Sequence, residues 1–276
     1  MKPIGDFHTH TDYVDGKNSI YEMTEAACSM GLRYFGISEH LYSASDGWGI
    51  RELTLDSYLK DMRKLKERYR GKMELLTGLE AENRDGDRSI SEDTKALTDY
   101  FIRSTHVLTV DGFTFDVDNN EKLLETVVEE HCNGDWYELV RQYYAAQSDV
   151  NPKINYAFIG HFDLVTKFNQ DDRLFSTCYD DYIQPALEAM DKLLQYNLPF
   201  EINTGAMSRG YRKEPYPSEF LLRELHSRGG RIIINSDAHS RNTICHEYEK
   251  AAGLAYACGF REHCILTSDG MRTAEL

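Results

Sequence analysis

The sequence predicts an α/β fold, a distorted (β/α)7 TIM-like barrel formed by a single domain over residues 1–276. Short apolar runs alternate with helical patterns along the chain, which indicates parallel strands connected by right-handed crossovers. No linker rich in glycine, serine or proline interrupts this alternation, and this favours one closed or nearly closed barrel over two domains. Histidines and carboxylates follow the apolar runs, and the residues after the strands of such a barrel meet at one face.

Seven apolar runs have the length and composition of buried strands. They are Pro3–His8, Tyr34–Ser38, Met73–Leu79, Tyr100–Thr105, Tyr156–Gly160, Pro199–Ile202 and Arg231–Asn235. A helical or loop segment separates each run from the next, as a barrel of parallel strands requires.

The segments between these runs have helical patterns. Ser19 and Glu22 form a capping-box pattern, and Gly31 ends the helix that follows them. Leu55–Tyr69 places its apolar side chains on one helical face, and Gly71 follows it. Further helices are predicted over Glu121–Cys132, Trp136–Ala146, Tyr182–Tyr196, Ser218–Arg228 and Glu247–Cys258.

Two stretches are too long for a plain turn. Tyr42–Glu52 is a predicted loop that contains Gly47-Trp48-Gly49, and Asp111–Asp149 is predicted to hold two helices. Long connections on the active face are often lids or substrate walls. A packing insertion explains them equally well, so the segment around 111–149 is interpreted as either a helical lid or an insertion.

The composition is that of a globular protein with an acidic surface: 41% of the residues are apolar and the formal charge is −15. Nucleic-acid binding needs clustered lysines and arginines, so no nucleic-acid partner is expected. The chain opens without an apolar signal segment, and no run approaches the ~20 residues of a membrane span. We therefore expect a cytoplasmic protein without a membrane partner. The six cysteines lack a C-x-x-C pair and are expected to be free thiols; the sequence does not indicate an oligomeric state.

Histidines and carboxylates recur shortly after the predicted strands. His8 and His10 are two positions apart at a strand end, so both side chains point to the same side and can bind one ion. The complete set of candidate metal ligands is His8, His10, Asp15, His40, Glu80, His106, His161, Asp237 and His239. Nitrogen and oxygen ligands without a thiolate suit Zn, Mn or Fe at a hydrolytic site. The number of candidates exceeds what one ion needs and predicts two to three divalent ions.

These motifs resemble those of the PHP (polymerase and histidinol phosphatase) family. The opening run His8-Thr9-His10-Thr11, with Asp15-Gly16 after it, is similar to the first motif of that family. The later motifs follow in the family's order: Glu39-His40, Gly78-Leu79-Glu80, His106, Gly160-His161 and Ser236-Asp237-Ala238-His239. The resemblance therefore extends over essentially the whole chain. Within the family, the chain resembles the histidinol-phosphate phosphatase branch. The residues that carry this resemblance are Glu201-Ile202-Asn203-Thr204-Gly205, with Arg209 and Tyr216-Pro217-Ser218 downstream.

The resemblance implies three ligand sets. One metal takes His8, His10, Glu80 and Asp237; a second shares Glu80 and takes His106 and His161; a third takes Asp15, His40 and His239. Some phosphatases of this branch have a histidine near the position of Asp15, whereas here Gly16 follows it. The third site is therefore the one that departs from the family's pattern.

The resemblance further implies a metal-dependent phosphomonoesterase that hydrolyses L-histidinol phosphate to L-histidinol and phosphate in histidine biosynthesis. A water bridging two ions has a lowered pKa, and the resulting hydroxide attacks phosphorus. Three ions against the carboxylates of Asp15, Glu80 and Asp237 leave the site net positive, which attracts a small phosphorylated metabolite. Arg209 is the predicted phosphate clamp and Arg212 the second choice, because a guanidinium binds two phosphate oxygens at once.

The remaining roles are open. Asp237 acts at the reacting centre, and His239 or a water protonates the leaving alkoxide. Asp163 either orients a ligand imidazole or caps the following helix. The acidic positions suspected of recognising the imidazole and ammonium groups of the substrate are Asp46, Glu82 and Asp118.

Three other functions compete with this interpretation. One is a PHP-type phosphoesterase acting on another small phosphate ester or a nucleotide. An amidohydrolase also opens with H-x-H, but such sites often use a strand-end lysine, and the fourth strand here ends in Thr105-His106. The third is a non-catalytic metal-binding barrel, against which the full set of candidate ligands argues.

Overall fold

The structure is a computed structural model that describes residues 2–41, 52–82 and 91–276. The strands are β1 Gly5–Asp6, β2 Tyr34–Leu41, β3 Glu74–Glu82, β4 Tyr100–Ser104, β5 Val107–Val110, β6 Phe113–Asp116, β7 Tyr156–Ile159, β8 Phe200–Asn203, β9 Ile232–Asn235, β10 Glu262–Thr267 and β11 Gly270–Glu275. The helices are α1 Ile20–Ser29, α2 Glu52–Tyr69, α3 Glu92–Leu97, α4 Glu121–His131, α5 Trp136–Gln147, α6 Asp180–Leu194, α7 Gly205–Ser208, α8 Glu219–Ser227 and α9 Tyr248–Ala257. Residues 42–51 of the loop predicted over Tyr42–Glu52, which include Asp46 and Gly47-Trp48-Gly49, lie outside the described residues, and Glu52 begins α2.

The main sheet has nine strands in the order β1-β2-β3-β4-β7-β8-β9-β10-β11. Neighbouring strands are parallel except for β11, which is antiparallel to β10. A parallel bridge between Thr9 and Ala238 joins the chain after β1 to the chain after β9. His10 N donates to Ala238 O at 2.9 Å, and Ala238 N donates to His8 O at 3.1 Å. The sheet thus curls into the predicted TIM-like form.

All seven predicted strands are present, but β1 is shorter than the predicted Pro3–His8, and the ends of two other strands were placed too early. β2 and β3 continue past the predicted ends, so His40 and Glu80 lie inside the strands and not after them. The reason is that backbone pairing continues where the apolar pattern stops: His40 pairs with Glu80, and Glu80 with Ile102. Among the described residues, the sequence did not predict the β5–β6 hairpin, α3, α7, β10 or β11.

A cluster of apolar side chains packs against the candidate ligand His8. A cluster of buried side chains from β3, β4, β7 and β9, together with Phe7, includes Leu76, Tyr100, Ile102, Phe158 and Ile233. The ring of Phe158 lies 6.4 Å from that of His8, so this cluster forms the floor under the first candidate ligand. A larger cluster packs the helices onto the other face of the sheet.

The segment 111–149 contains one strand and both predicted helices. Helix α5 begins at its N-cap Asp135 and buries Leu139, Val140, Tyr143 and Tyr144. This burial, against the hydrophobic core, gives α5 a packing role. Closure of the segment over the site remains a prediction.

The six cysteines are unpaired, as predicted. Among the described helices, none combines the length and the apolar character that a membrane span requires.

Arg103 connects β4 to the end of α5. This side chain is fully buried. Its Nη2 donates to the carbonyl oxygens of Ala146 (2.8 Å), Gln147 (2.9 Å) and Asp149 (2.8 Å). The guanidinium thereby adds a donor to carbonyl groups at the C-terminus of α5 and in the turn that follows it, where the intrahelical donors end.

Arg103→Met is expected to lower the free energy of unfolding by about 3 kcal/mol or more, because each buried acceptor left unpaired costs roughly 1–3 kcal/mol. Denaturant unfolding measures this loss. Arg63→Met, at an exposed position of α2, is the control and is expected to change stability by no more than about 0.5 kcal/mol. Equal stability of the two variants would show that Arg103 has no such role.

Candidate metal centre

Glu80 lies at the centre of the candidate ligands and is 2% exposed. Its Oε2 lies 2.8 Å from His40 Nδ1, 3.2 Å from His8 Nε2 and 3.6 Å from His10 Nε2. Strands β2 and β3 are paired in register at His40 and Glu80, and the chain after β1 lies beside β2, so these side chains reach one point. This carboxylate oxygen therefore faces three imidazoles.

The other oxygen of Glu80 faces the opposite side of the centre. Oε1 lies 2.9 Å from His161 Nε2 and 3.5 Å from His106 Nε2. His106 is held in turn by Glu82, whose Oε2 is 3.1 Å from Nδ1 and 2.9 Å from the backbone nitrogen of His106. Such outer carboxylates fix the orientation of a ligand imidazole. Glu82 is thus engaged with His106, and its suspected role in substrate recognition stays a prediction.

Asp15, Asp237 and His239 form the rim. His239 Nε2 lies 3.0 Å from Asp15 Oδ2, and His10 Nε2 lies 3.3 Å from Asp237 Oδ1. His40 Nε2 approaches Asp15 Oδ2 to 3.7 Å. Asp237 has a φ of +47°, a region that non-glycine residues rarely adopt and that is frequent at functional sites.

Three groups of these residues could each hold a metal ion, with ligand atoms within 4.8 Å of one another. They are His10, Asp15, His40 and His239; His8, His10 and Glu80; and His40, Glu80 and His106. The groups overlap at His10, His40 and Glu80, which indicates adjoining positions. Asp237 and His161, which the resemblance also implied as ligands, lie against these groups but are not members of them.

The donor set fits divalent ions. Five ligand atoms are buried and accept or donate no hydrogen bond among the residues that the structure describes: His8 Nε2, His10 Nδ1 and Nε2, His161 Nδ1 and Glu80 Oε2. Burial, with His40 and His239 nearby, lowers the pKa of His10 to about 3, which leaves the neutral imidazole that a metal needs. Although burial raises the pKa of Glu80, His8 and His40 hold it well below its usual range, so this carboxylate stays ionised. The cluster therefore offers ligands suited to divalent metal binding.

Glu201 contacts two candidate ligands, although the sequence reasoning did not assign it to the site. It is fully buried, and its Oε1 lies 2.7 Å from His8 Nδ1. Its Oε2 accepts from His161 N at 2.9 Å, and the side-chain amides of Asn203 and Asn235 also donate to this carboxylate. The available signal was a charged residue inside the buried run of β8.

Glu201→Gln is expected to weaken metal binding about 10–100-fold, because it removes the carboxylate that orients His8. Competition with a chromophoric chelator measures this affinity. Glu39→Gln is the matched control: Glu39 is equally buried and accepts from Thr11 N and Oγ1. A loss as large in the control would indicate a general effect of altering a buried carboxyl group.

The two predicted phosphate-binding arginines have different surroundings. Arg209 lies at the rim, with Nη2 3.0 Å from Asp237 Oδ2 and Nη1 3.0 Å from His239 Nδ1. Arg212 instead donates from Nη1 to Thr166 O and Oγ1, and its guanidinium lies 4.9 Å from the ring centre of Tyr216. The geometry favours Arg209 over Arg212 as the residue beside the candidate ligands.

Asp163 makes neither of its predicted contacts among the described residues. It forms no side-chain cap on the short turn Leu164–Thr166 that follows it. Its Oδ2 accepts from Ser218 N at 3.1 Å. It thus joins the loop before α8 to the chain after β7, a long-range contact that its position in the sequence does not reveal.

The structure explains why a glycine occupies position 16, which the sequence did not reveal. A Cβ atom at this position would lie 2.6 Å from His10 O and 2.7 Å from Thr11 Cα. The loop with Asp15 is therefore packed against backbone that carries a candidate ligand, and no side chain fits at Gly16.

Gly16→Ala is expected to displace Asp15 and to reduce the bound metal by about one ion per chain, with a loss of stability of about 1–3 kcal/mol from overpacking. Elemental analysis after dialysis measures the metal content. Gly253→Ala is the control, since a Cβ there meets nothing within 4 Å. Unchanged metal content in the Gly16 variant would remove Asp15 from the set of ligands.

The chain is similar to known proteins in sequence and in fold. A family model described as the PHP domain matches residues 6–205. A Schizosaccharomyces pombe protein named "Probable histidinol-phosphatase" is 24% identical, over 94% of this chain and 88% of its own. A Deinococcus radiodurans protein of the same name is 29% identical, over 88% of this chain and 89% of its own.

A solved structure is also similar. It is the histidinol phosphate phosphatase of Lactococcus lactis in complex with zinc, L-histidinol and phosphate, 20% identical in sequence, with a TM-score of 0.67 over 97% of this chain and 98% of that chain. At this identity the likeness shows the fold. The family model covers well over half of the sequence, and this chain therefore belongs to the PHP domain family.

Proposed function

We propose that this protein is a metal-dependent phosphomonoesterase that hydrolyses L-histidinol phosphate to L-histidinol and phosphate. The observation that carries the proposal is the cluster of histidines and carboxylates around Glu80, whose two oxygens face different imidazoles. Two relatives aligned over most of their length are named as histidinol-phosphatases, and a structure of the same fold contains zinc, L-histidinol and phosphate. Fold alone does not fix a substrate, so the named alcohol depends on the relatives.

The proposed cofactors are two to three divalent ions, Zn, Mn or Fe. The first would take His8, His10, Glu80 and Asp237; the second Glu80, His106 and His161; the third Asp15, His40 and His239. The contacts of Glu80 Oε2 with His8 and His10, and of Oε1 with His161, support Glu80 as the shared ligand. The contact between Asp15 and His239 supports the third set.

Bound divalent ions would supply a nucleophile from water near neutral pH and polarise the phosphoryl group. The residues of the chain then position the substrate. Arg209 provides a guanidinium beside Asp237 and His239, where it can bind phosphate oxygens as the reaction centre gains negative charge. His239 contacts both Asp15 and Asp237 O, which supports its role as a ligand, and proton delivery by His239 to the leaving alkoxide stays a prediction.

The test is kcat/KM for L-histidinol phosphate beside p-nitrophenyl phosphate and a panel of mononucleotides, on protein reconstituted with Zn or Mn. We expect a preference of roughly a hundredfold or more for L-histidinol phosphate, which equals about 2.7 kcal/mol of differential transition-state binding. Weak and similar activity on all substrates of the panel would contradict the assignment of L-histidinol phosphate as the substrate. The protein would then be a phosphoesterase of different specificity. No hydrolysis of any phosphoester by fully metallated protein would contradict the enzyme.

A further inference from the structure

Asp118 lies beside the candidate metal centre, on the side formed by His106 and His161. The β5–β6 hairpin leaves His106 and returns to it, since Val117 N donates to His106 O at 2.7 Å. Asp118 is the next residue after this contact. The hairpin thus brings an acidic residue back to the ligand at its base.

Lys167 approaches Asp118 from the neighbouring segment. It follows the turn that begins at His161, where Leu164 N donates to His161 O at 3.0 Å. Lys167 Nζ donates to Asp118 O at 2.6 Å and to Asp118 Oδ2 at 3.0 Å. The two segments that leave His106 and His161 are therefore joined by one ion pair at the edge of the centre.

This ion pair fixes the carboxylate and leaves part of it accessible. The Lys167 side chain is 9% exposed and that of Asp118 is 28% exposed. Lys167 also lies over the rings of Phe168 and Tyr211, 5.4 and 5.1 Å from their centres. Asp118 Oδ1 has no hydrogen-bond partner within the described ranges, in contrast to Oδ2.

Asp118 interacts electrostatically with groups on two sides of the centre, Lys167 and His106 on one side and Arg209 on the other. Although burial raises its pKa, Lys167 and His106 lower it to about 2, so the group is an anion at neutral pH. Although burial lowers the pKa of Arg209, the proposed phosphate-binding residue, Asp237 raises it above its usual value and Asp118 adds to this effect. The other described acidic suspect, Glu82, already accepts from His106 through both its oxygens.

We propose that Asp118 binds the ammonium group of the phosphomonoester substrate through Oδ1, while Lys167 holds the carboxylate in position. The inference rests on the proposed function and deepens it. L-Histidinol phosphate has its ammonium group two carbon atoms from the ester oxygen, so a phosphate at Arg209 and the metal ligands leaves the ammonium close to the wall of the centre. A charge-assisted hydrogen bond there selects amino alcohols over neutral alcohols.

The experiment compares wild type with Asp118→Asn on L-histidinol phosphate, on 3-(imidazolyl)propyl phosphate, which lacks only the ammonium group, and on p-nitrophenyl phosphate. We expect kcat/KM to fall about 30-fold for L-histidinol phosphate, mainly through KM, and less than about threefold for the other two substrates. Calorimetry adds a readout without turnover: the Kd of L-histidinol is expected to rise about 30-fold and that of inorganic phosphate to stay unchanged. Asp118→Glu, which keeps the charge, is expected to recover part of the affinity for L-histidinol.

Asp116→Asn is the matched control, because Asp116 is a carboxylate at the end of the same hairpin. It is expected to leave the preference for the ammonium group intact. Equal losses on all three substrates in Asp118→Asn, or a wild type that does not distinguish L-histidinol phosphate from 3-(imidazolyl)propyl phosphate, would overturn the role of Asp118. A wild type that distinguishes them by affinity but hydrolyses neither efficiently contradicts the proposed function and leaves the ammonium site standing.

Discussion

Glu80→Gln is expected to reduce kcat/KM by at least about a thousandfold and to lower the bound metal by more than one ion per chain. Loss of an outer partner of a ligand costs about 10–100-fold in metal affinity or activity, and a carboxylate shared by two ions costs more. Glu80 contacts imidazoles through both oxygens, with Oε2 at 2.8 Å from His40 Nδ1 and Oε1 at 2.9 Å from His161 Nε2. An amide in its place would present an NH2 group to one of the two proposed ions and would neutralise neither.

The measurement combines steady-state kinetics with elemental analysis of the same preparations. Glu74→Gln is the matched control, the same substitution at the other end of strand β3, where Glu74 accepts from Ser268 N. It is expected to keep full metal content and activity. If the Glu80 variant also keeps both, the centre is not built around Glu80 and the proposed ligand sets fail.

The elements that the sequence predicted are those with local physical causes. Helix α1 begins at Ser19, whose side chain accepts from Glu22 N while the Glu22 side chain accepts from the Ser19 backbone, a signal contained in four consecutive residues. The buried parallel strands appear as short apolar runs, because both faces of each strand are covered. For the same reason the ends of β2 and β3 were placed too early, since both strands remain buried where their residues become polar, as at His40 and Glu80.

The partners of buried polar groups could not be predicted in the same way. His8 and Glu201 are in contact although 193 positions separate them in the chain, and no local pattern encodes this pairing. Arginine is usually a surface residue, and Arg103 is buried as a partner of the last carbonyl groups of α5 only because α5 ends beside β4. In each case the fold must be known before the role of the residue can be inferred.

Strand β11 was missed for a different reason. Its residues are mostly exposed, so Gly270–Glu275 has no apolar pattern. What holds it is antiparallel backbone pairing with β10, from Glu262 opposite Glu275 to Thr267 opposite Gly270. Such pairing is specified by the turn and the neighbouring strand more than by the side chains.

Removal of the divalent ions is expected to abolish phosphatase activity and to lower the melting temperature by about 10 °C. Ions that bind only the folded chain stabilise it by about 4 kcal/mol when present at a thousand times their dissociation constant. For a chain of this size each kcal/mol corresponds to roughly 2–4 °C. Without the ions, the buried carboxylates of Glu80 and Asp237 lie among imidazoles, and protons on these imidazoles must supply the compensating positive charge. His40 shows this effect: burial lowers its pKa, but Glu80 raises it well above the usual value.

Chelation followed by dialysis, with elemental analysis to verify removal, prepares the metal-free protein for calorimetry and kinetics. Addition of Zn or Mn is expected to restore both the melting temperature and the activity. The Glu80→Gln variant supplies the internal comparison: because it binds fewer ions, its melting temperature should respond less to the chelator. Metal-free protein that kept its melting temperature and its turnover would exclude both the stabilising and the catalytic role of the ions, and with them the proposed mechanism.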